Sequence, residues 1–448
     1  MKHLLLSFCF LMVLPMTAQE HFSGISTSKR VGIVNSANNP SEFANLNNRI
    51  EISIFALSVN ASSNKIGFSD LVDGKDFEKL LFSGNSPANF KLNAQIMGPS
   101  AAVKVSDWTF AITSGANIQA DVVDVDPNLG LAVTTSDLLS VSTINGSKNQ
   151  RVNATTWGEI GFSAAHTIFK NDRNQINGGL TLKLLFPGSY VNFGAGQFSG
   201  TIYNTAGDIR LNQAYANLNI AYSGSLANNF SNTSDYTKSL FGNLSGLATD
   251  FGIDYQLKND DDSYRLKVGA AVKNIGSMTF KSDDNHSTNY TLIIDDPNPV
   301  TNGLNLNQFN GSESIKDIEN VLISSGYLNK QSPEKTDFKV KLPTMLNLYA
   351  DVNIVPKLNA SVFLQQKLNE DSKNGQVASQ NSFSIIPRFT MNIFEAYLPL
   401  SFNEISGTNL GIGFRLGGFF IGSNAIITAL TSDSNQADAY FGFRFGLQ

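Results

Sequence analysis

The chain has 448 residues, a formal net charge of −5 and only 15% Asp, Glu, Lys and Arg, whereas about 25% of residues are charged in a typical soluble protein. The acidic balance argues against nucleic acid as a partner. The single cysteine argues against a disulfide framework and a cysteine metal site, and the four histidines are scattered at positions 3, 21, 166 and 286. No catalytic constellation stands out, so we predict no enzyme activity, no metal and no cofactor.

The N-terminus carries a targeting signal. Lys2 precedes a short apolar stretch from Leu4 to Leu14, and Thr17-Ala18 supplies the small residues of a cleavage site. This pattern is typical of a secretory signal peptide over residues 1–18. No stretch of about 18 apolar residues follows it, which argues against a helical membrane protein.

The remaining sequence alternates apolar and polar residues with a period of two. In 247–258, Phe251 and Ile253 share one face, and Asp250 and Asp254 share the other. This period predicts strands with one apolar and one polar face. Soluble β-sandwiches use the same period, but their apolar faces need a second apolar layer. No series of strands here supplies that layer, and the strands continue without a domain-sized break, which favours a barrel in a membrane.

The loop lengths predict the topology. Counted from the C-terminus, short and long connections alternate, as they do in barrels with short turns on one side of the membrane. The weak place is 187–208, where an additional short turn must be assumed. We predict an all-β fold, a transmembrane antiparallel β-barrel of about 14 strands, with 16 as the alternative if 89–105 adds two. The predicted strands are 108–120, 155–169, 176–186, 190–203, 210–222, 247–258, 264–275, 343–354, 358–367, 382–391, 395–402, 409–416, 419–428 and 439–448.

The segment 19–87 is expected to precede the wall. Residues 50–57 switch face, because Ile50, Ile52 and Ile54 have one parity and Phe55 and Leu57 have the other. A lipid-facing strand should keep one parity. We therefore expect part of 19–87 to fold inward as a plug, and residues 88–448 to form the barrel.

The predicted register points a set of charged side chains into the lumen. They would either neutralise one another or line a permeation path, and their mixed sign argues against strong ion selectivity. In one hairpin, a four-residue turn is expected to place Asp254 directly opposite Lys267. The full set is Glu159, Lys183, Asp250, Asp254, Lys258, Arg265, Lys267, Lys273, Asp351 and Arg415.

The C-terminal segment resembles the signal that is read by the outer-membrane barrel assembly machinery. Gly442, Phe445 and Leu447 match the glycine and the two alternating hydrophobic positions of that signal, although the chain ends in Gln448 and not in an aromatic residue. The resemblance implies the assembly machinery as a partner and outer-membrane lipid as the surroundings.

Further segments resemble known outer-membrane families. Asn38-Asn39-Pro40-Ser41 is similar to the Asn-Pro-Ala element of fatty-acid-transporter-like (FadL-like) barrels, with Ser41 in place of the alanine, and 269–276 resembles a strand motif of the same barrels. Residues 64–71 and 98–102 resemble a Bacteroidota outer-membrane family of unknown function. The resemblance implies a barrel of about 14 strands with an N-terminal plug, in which Asn39 and Pro40 carry the plug motif.

Two functions remain open. The first is passive transport of small or hydrophobic molecules, with a small hydrophobic ligand implied by the FadL-like resemblance. The second is a binding or scaffold barrel, such as an accessory subunit of protein secretion, which the long polar loop 276–340 suits. A continuous lumen or a wall opening would favour transport, whereas a filled lumen with an exposed apolar loop surface would favour a scaffold. In both cases the expected location is the bacterial outer membrane, after cleavage of the signal peptide.

Overall fold

Antiparallel strands close into a ring of 14 strands in a single sheet, and the last strand pairs with the first. The computed structural model describes residues 21–28, 30–134, 141–229, 233–238, 240–259, 263–281, 285–298 and 301–447. The predicted signal peptide lies outside the described residues. The predicted all-β barrel and its strand number are confirmed.

The wall strands follow one another around the ring in chain order, and a plus sign joins two pieces of one interrupted strand. The wall consists of β1 (Ile50–Ser63), β2 (Ala88–Met97) + β3 (Ser100–Val105), β4 (Trp108–Val125), β6 (Gln150–Lys170), the first half of β7 (Asn174–Thr205), β9 (Gly246–Lys258), β10 (Tyr264–Phe280), β14 (Phe338–Lys341) + β15 (Met345–Val355), β16 (Leu358–Lys367), β17 (Ser382–Met391), β18 (Phe394–Tyr397) + β19 (Leu400–Asn403), β20 (Gly407–Leu410) + β21 (Ile412–Leu416), β22 (Phe419–Ser423) and β23 (Gln436–Leu447).

The remaining elements lie in the connections and inside the ring. The other strands are β5 (Val141–Asn145), β8 (Asp208–Ser223), β11 (His286–Ile294), β12 (Leu304–Asn305) and β13 (Leu328–Lys330). The α-helices are α1 (Phe68–Val72), α2 (Phe77–Leu81), α3 (Pro127–Thr134), α4 (Thr233–Lys238), α5 (Ile315–Ser324) and α6 (Ile426–Thr431). The 3₁₀-helices are η1 (Ile25–Thr27), η2 (Gly32–Ala37), η3 (Pro40–Asn45), η4 (Ser225–Ala227) and η5 (Leu306–Phe309). Among the described residues, no helix has the length and apolarity to cross a bilayer.

The outer face of the wall is apolar and the inner face is polar. In β9, Phe251 and Ile253 are both 51% exposed, whereas Asp250 and Asp254 are 3% and 1% exposed. A closed barrel leaves no unpaired strand edge, and its apolar outer band belongs in lipid. The short turns 106–107, 171–173, 356–357, 392–393 and 417–418 lie at one rim, together with Ile50 and Leu447. We call this rim the short-turn rim and the opposite one the long-loop rim.

Two predicted wall strands, 190–203 and 210–222, do not belong to the ring. β7 runs from Asn174 to Thr205 without a turn, and its first half pairs with β9 while its second half pairs with β8. Pro187-Gly188 forms a bulge opposite the Thr156–Trp157 step of β6. A bulge bends a strand without reversing it and tolerates proline, so the expected turn does not form.

The wall begins at Ile50 and not at residue 88. β1 pairs with β23 on one side and with β2 and β3 on the other, so the strands 50–63 and 88–105 take the two vacated places and the count stays at fourteen. The switch of face inside β1 is a bulge between Ser53 and Phe55. Ile54 and Phe55 are therefore both exposed on the outer face, at 43% and 40%.

A folded extension continues the sheet beyond the long-loop rim. The second half of β7 pairs with β8, β8 with β11, and β11 with β13. Ile202, Leu218 and Leu292 from this sheet share an apolar core with Leu322 of α5, and each is at most 4% exposed. The extension is a packed unit with its own core.

His286 joins three segments of the extension through charge. Its Nε2 lies 2.7 Å from Oε1 of Glu319 in α5, and its Nδ1 lies 2.8 Å from Oε1 of Glu334. The ring stacks on Tyr222 of β8 at 4.8 Å between centroids. Burial opposes protonation, but the hydrogen bonds that His286 donates to the two carboxylates outweigh it and raise the pKa of His286. Burial likewise opposes ionisation of Glu319, yet the hydrogen bonds from His286 and Tyr290 lower its pKa.

We expect the extension to loosen in alkaline solution. A raised pKa means that the stabilisation from His286 is complete below its unfolded pKa of about 6.5 and is lost as pH rises through the higher folded value. Hydrogen exchange of residues 286–335 should therefore accelerate as pH rises above about 6.5 more than base catalysis of exchange explains. His286→Gln should remove this additional acceleration of exchange, whereas His166→Gln, in the membrane wall, should leave it unchanged. An additional acceleration that survives in His286→Gln would contradict the assignment.

Candidate functional site: the lumen

The N-terminal segment 21–46 lies inside the ring near the short-turn rim, and we call it the plug. Phe22, Ile33 and Phe43 are at most 1% exposed and pack with Phe420 and Tyr440 of the wall. None of the described residues between 21 and 49 belongs to a strand. The plug therefore fills the lumen with a small apolar core of its own, separate from the hydrogen-bond ladder of the wall.

The predicted plug motif docks on two wall glycines that are direct neighbours, Gly179 of β7 and Gly252 of β9. A Cβ on Gly179 would lie 2.3 Å from the carbonyl carbon of Pro40, and a Cβ on Gly252 would lie 1.8 Å from Oδ1 of Asn39. Real Cβ atoms do not approach other atoms so closely. Because glycine has no side chain, the two positions leave a shallow depression in the wall, and this seat holds Asn39 and Pro40.

Asn39 uses its side-chain amide to fix this contact. Its Nδ2 donates to the carbonyl of Ile253 at 3.0 Å and to Oη of Tyr349 at 3.1 Å. Its Oδ1 accepts from the backbone N–H and the hydroxyl of Ser41, at 2.9 and 2.8 Å, which caps η3. Ser41, which replaces the alanine of the FadL-like motif, thereby adds a hydrogen bond that alanine cannot make.

The predicted pairing of Asp254 with Lys267 is wrong in register, although both side chains face the lumen. The pairing starts one residue later than expected, with Tyr264 opposite Lys258, and an extra residue, Arg265, then bulges out of β10. Lys267 therefore lies opposite Gln256, and Asp254 lies opposite Gly269. Arg265 is exposed and does not face the lumen, which corrects its place among the predicted lumen charges. Its expected inward position is taken by Tyr264, which is 5% exposed and donates to Asp351.

Lys267 has a partner in the plug instead. Its Nζ lies 2.7 Å from Oε1 of Glu42, and the two side chains are 1% and 3% exposed. Asp254 accepts hydrogen bonds from Asn45 of the plug at 3.1 Å and from Asn177 of β7 at 2.9 Å. Two of the predicted lumen charges therefore hold the plug.

The other predicted lumen charges are mostly neutralised within the wall. Lys183 pairs with Asp250 at 2.9 Å, Asp351 with Arg388 at 2.8 Å, and Arg415 with Glu395 at 2.8 Å. Lys273 donates to the carbonyl of Ala37 in the plug. Glu159 and Lys258 are half-buried.

Sequence reasoning missed several charged residues of the lumen. In β17, β18 and β23 the missed residues occupy the polar parity of an alternating strand, so that the period of two could have found them. The missed residues of β1, β2, β4 and β6 have the same signal, because each lies on the polar parity of its strand, and only Glu42 of the plug lies outside a strand. The missed residues are Glu42, Glu51, Lys91, Asp121, Arg151, Arg388, Glu395 and Arg444.

The loop 368–381 folds back into the lumen from the long-loop rim, and we call it the cap. Arg151, which is fully buried, donates to the carbonyls of Gln376, at 2.9 Å, and Asp371. Lys91 donates to the carbonyl of Ala378 at 3.0 Å and pairs with Asp121 at the same distance. Wall cations thus hold the backbone of the cap inside the lumen, at the end opposite the plug.

A polar chamber of about 90 Å³ remains between the plug and the cap. Phe22, Ala37 and Asn38 of the plug line it on one side, and Ser379 of the cap on the other. The wall contributes Trp157 and a ring of amide side chains. The wall amides include Asn93, Gln95, Asn117, Gln119 and Asn347.

We expect Lys267→Leu to loosen the plug, because the change leaves Glu42 buried without its cation. Breaking a buried ion pair by removing one partner costs about 3–5 kcal/mol. Because Glu42 belongs to the plug, this cost should weaken the binding of the plug to the wall. Trypsin should then cleave after Arg30 faster than in the wild type. Adding Glu42→Gln should restore most of the protection, and equal cleavage of all three proteins would contradict the role of the pair.

The fold and the lumen define a transmembrane β-barrel of the outer-membrane type, with a plug and a cap inside the lumen. The model of a family of unknown function, DUF5723, matches residues 42–424, which is most of the chain. The protein therefore belongs to the family of unknown function DUF5723, as the resemblance of its early segments implied.

Solved structures that resemble the chain include hydrocarbon channels and transporters. A TodX mutant described as a monoaromatic hydrocarbon channel is 8% identical, with 93% of this chain and 95% of that chain covered and a TM-score of 0.47. The Ralstonia pickettii toluene transporter TbuX is 10% identical (94% and 95% covered, TM-score 0.40). The Pseudomonas putida toluene transporter TodX is 8% identical (96% and 98% covered, TM-score 0.42). No curated protein matches the sequence.

Proposed function

We propose that this protein passes small molecules passively through the bacterial outer membrane and that its plug and cap close the path at rest. One observation carries the proposal. The plug is held by side-chain hydrogen bonds, ion pairs and a small apolar core, and no described residue between 21 and 49 belongs to a strand. The plug can therefore leave its seat without breaking the ladder that keeps the wall closed.

The charges of the lumen fit this role. Ion pairs that are buried in a folded protein add little net stability, because desolvation offsets much of their attraction. A plug that is held by Glu42–Lys267 and by amides on Asp254 is therefore specific in position but modest in affinity. Water that enters the lumen would solvate both partners and lower the cost of release.

A second candidate, a binding or scaffold barrel, is supported by the folded extension. The extension contains four paired strands and a helix that pack together beyond the long-loop rim. A simple connection between two wall strands does not need such a folded unit. Such a unit offers a rigid surface to a macromolecule outside the membrane. This function would not require the plug to move.

Single-channel conductance in planar bilayers separates the two functions. The proteins to compare are the wild type, a deletion of 21–45, a variant with 368–381 replaced by a short Gly-Ser link, and the double variant. Transport predicts brief openings in the wild type and a steady open level in the double variant. Heat-modifiable migration on gels shows whether the double variant is folded. A folded double variant without conductance would overturn transport and favour the scaffold.

A further inference from the structure

We propose that the chamber between plug and cap binds a small, uncharged, polar solute of the polyol or simple amide class, and that this is the class of molecule that the barrel passes. The passage of that solute rests on the proposed transport function. Binding in the chamber does not depend on transport and stands on the geometry of the chamber.

The first observation is the chemistry of the lining. Amide side chains predominate, and each offers both donors and an acceptor. Among the described lining residues, Lys273 is the one Lys, Arg, Asp or Glu, and its Nζ already donates to the carbonyl of Ala37. A cationic solute would find no opposite charge in the lining, and an apolar solute would strand the amides without partners.

The second observation is a set of buried polar atoms that lack a partner among the described residues. They are Nδ2 of Asn38, Oδ1 of Asn347 and Nε1 of Trp157. The three residues are only 9%, 1% and 5% exposed, and all three line the chamber. A buried polar group without a hydrogen bond costs about 1–3 kcal/mol, so the chamber selects an occupant that can satisfy two donors and one acceptor. A hydroxyl group both donates and accepts, and so does an amide.

The third observation is size. The chamber measures about 90 Å³, and one water molecule needs about 10–15 Å³ of such space. It therefore has room for several water molecules or for one solute of the size of glycerol. An apolar cavity of about 150 Å³ takes up benzene, whereas this chamber is lined mainly by amides, so its polarity and not its size disfavours an aromatic hydrocarbon.

The chain provides its own reporter for a test. It has two tryptophans: Trp157 lines the chamber, whereas Trp108 is 46% exposed on the outer face of the wall. Trp108→Phe leaves the chamber tryptophan as the single indole fluorophore. Trp157→Phe is the matched control, because its remaining tryptophan reports only the effects of solutes on detergent and bulk solvent.

The experiment titrates both purified variants with glycerol, and separately with toluene and with sodium acetate. Binding in the chamber predicts a saturable change with glycerol in Trp108→Phe that is absent in Trp157→Phe. A response of Trp108→Phe to toluene or acetate but not to glycerol overturns the solute class. No saturable response to any of the three means that the chamber holds water only, which also overturns the proposal.

Ligand-observed NMR with the wild type and the same two variants gives an independent readout. Removal of one neutral hydrogen bond should weaken glycerol binding about 2- to 10-fold in Trp157→Phe, with no change in Trp108→Phe. Equal affinities in the two variants would overturn the role of the indole N–H. If glycerol binds as expected but the plug and cap double variant does not conduct, the binding site stands and transport fails.

Discussion

Gly179→Ala should expel the plug from its seat. The added methyl group would lie 2.3 Å from the carbonyl carbon of Pro40 and 2.4 Å from the backbone nitrogen of Ser41, and backbone cannot yield as a flexible side chain can. Overpacking of this kind costs about 1–3 kcal/mol, and the plug rather than the closed wall should give way. Cleavage by trypsin after Arg30 should therefore become about 10- to 100-fold faster.

The neighbouring glycine supplies the control for this result. Gly178 points to the opposite face, where an added Cβ would meet the tip of the flexible Ile168 side chain at 2.9 Å. Gly178→Ala should keep the cleavage rate of the wild type. Equal protection of Arg30 in the two alanine variants would show that the glycine seat does not hold the plug.

Arg388→Ala should cause the largest loss of stability among single changes in the lumen. Arg388 and Asp351 are 2.8 Å apart, with side chains 3% and 0% exposed, so the change leaves a carboxylate fully buried without its cation. The expected loss in the free energy of unfolding is about 3–5 kcal/mol. Urea unfolding in detergent, followed by heat-modifiable migration on gels, measures it.

Two further variants separate the buried charge from the loss of a side chain. Adding Asp351→Asn to Arg388→Ala should recover part of the stability, because the stranded charge is removed while Tyr264 and Ser361 still have a hydrogen-bonding partner. Arg210→Ala breaks a partly exposed pair with Asp208 in the extension and should cost at most about 1 kcal/mol. A loss in Arg388→Ala no larger than in Arg210→Ala would contradict the argument.

The period of two was sufficient to predict most of the wall. The described short turns 106–107, 171–173, 356–357, 392–393 and 417–418 lie where turn residues interrupt the alternation over only a few positions. The two strands assigned wrongly, 190–203 and 210–222, alternate as well as any wall strand does. They cover the apolar core of the extension instead of facing lipid, and alternation alone cannot tell one apolar environment from another.

Three bulges account for the errors of register and membership. The extra residue is Gly188 in β7, which continues through Pro187, and Ile54 in β1, which changes face within the wall. In β10 it is Arg265, which adds one position to a hairpin whose pairing already starts one residue later than expected, at Lys258–Tyr264. A bulge adds a single residue to one strand, and its place depends on the pairing partner. The sequence of one strand does not contain that information.

The sequence by itself determined an antiparallel barrel with an apolar outer face, a polar lumen and an N-terminal segment that carries Asn39 and Pro40. The barrel and its two faces follow from residue periodicity, which is a local property of the chain, whereas the prediction for Asn39 and Pro40 came from the resemblance to FadL-like barrels. Only the tertiary structure decided that Glu42 meets Lys267, that Arg151 and Lys91 hold the cap, and that Asn38, Asn347 and Trp157 enclose one chamber. Those contacts join residues far apart in the chain, and they are selected by the shape and charge of the closed ring, because a buried ion or amide must find its partner there.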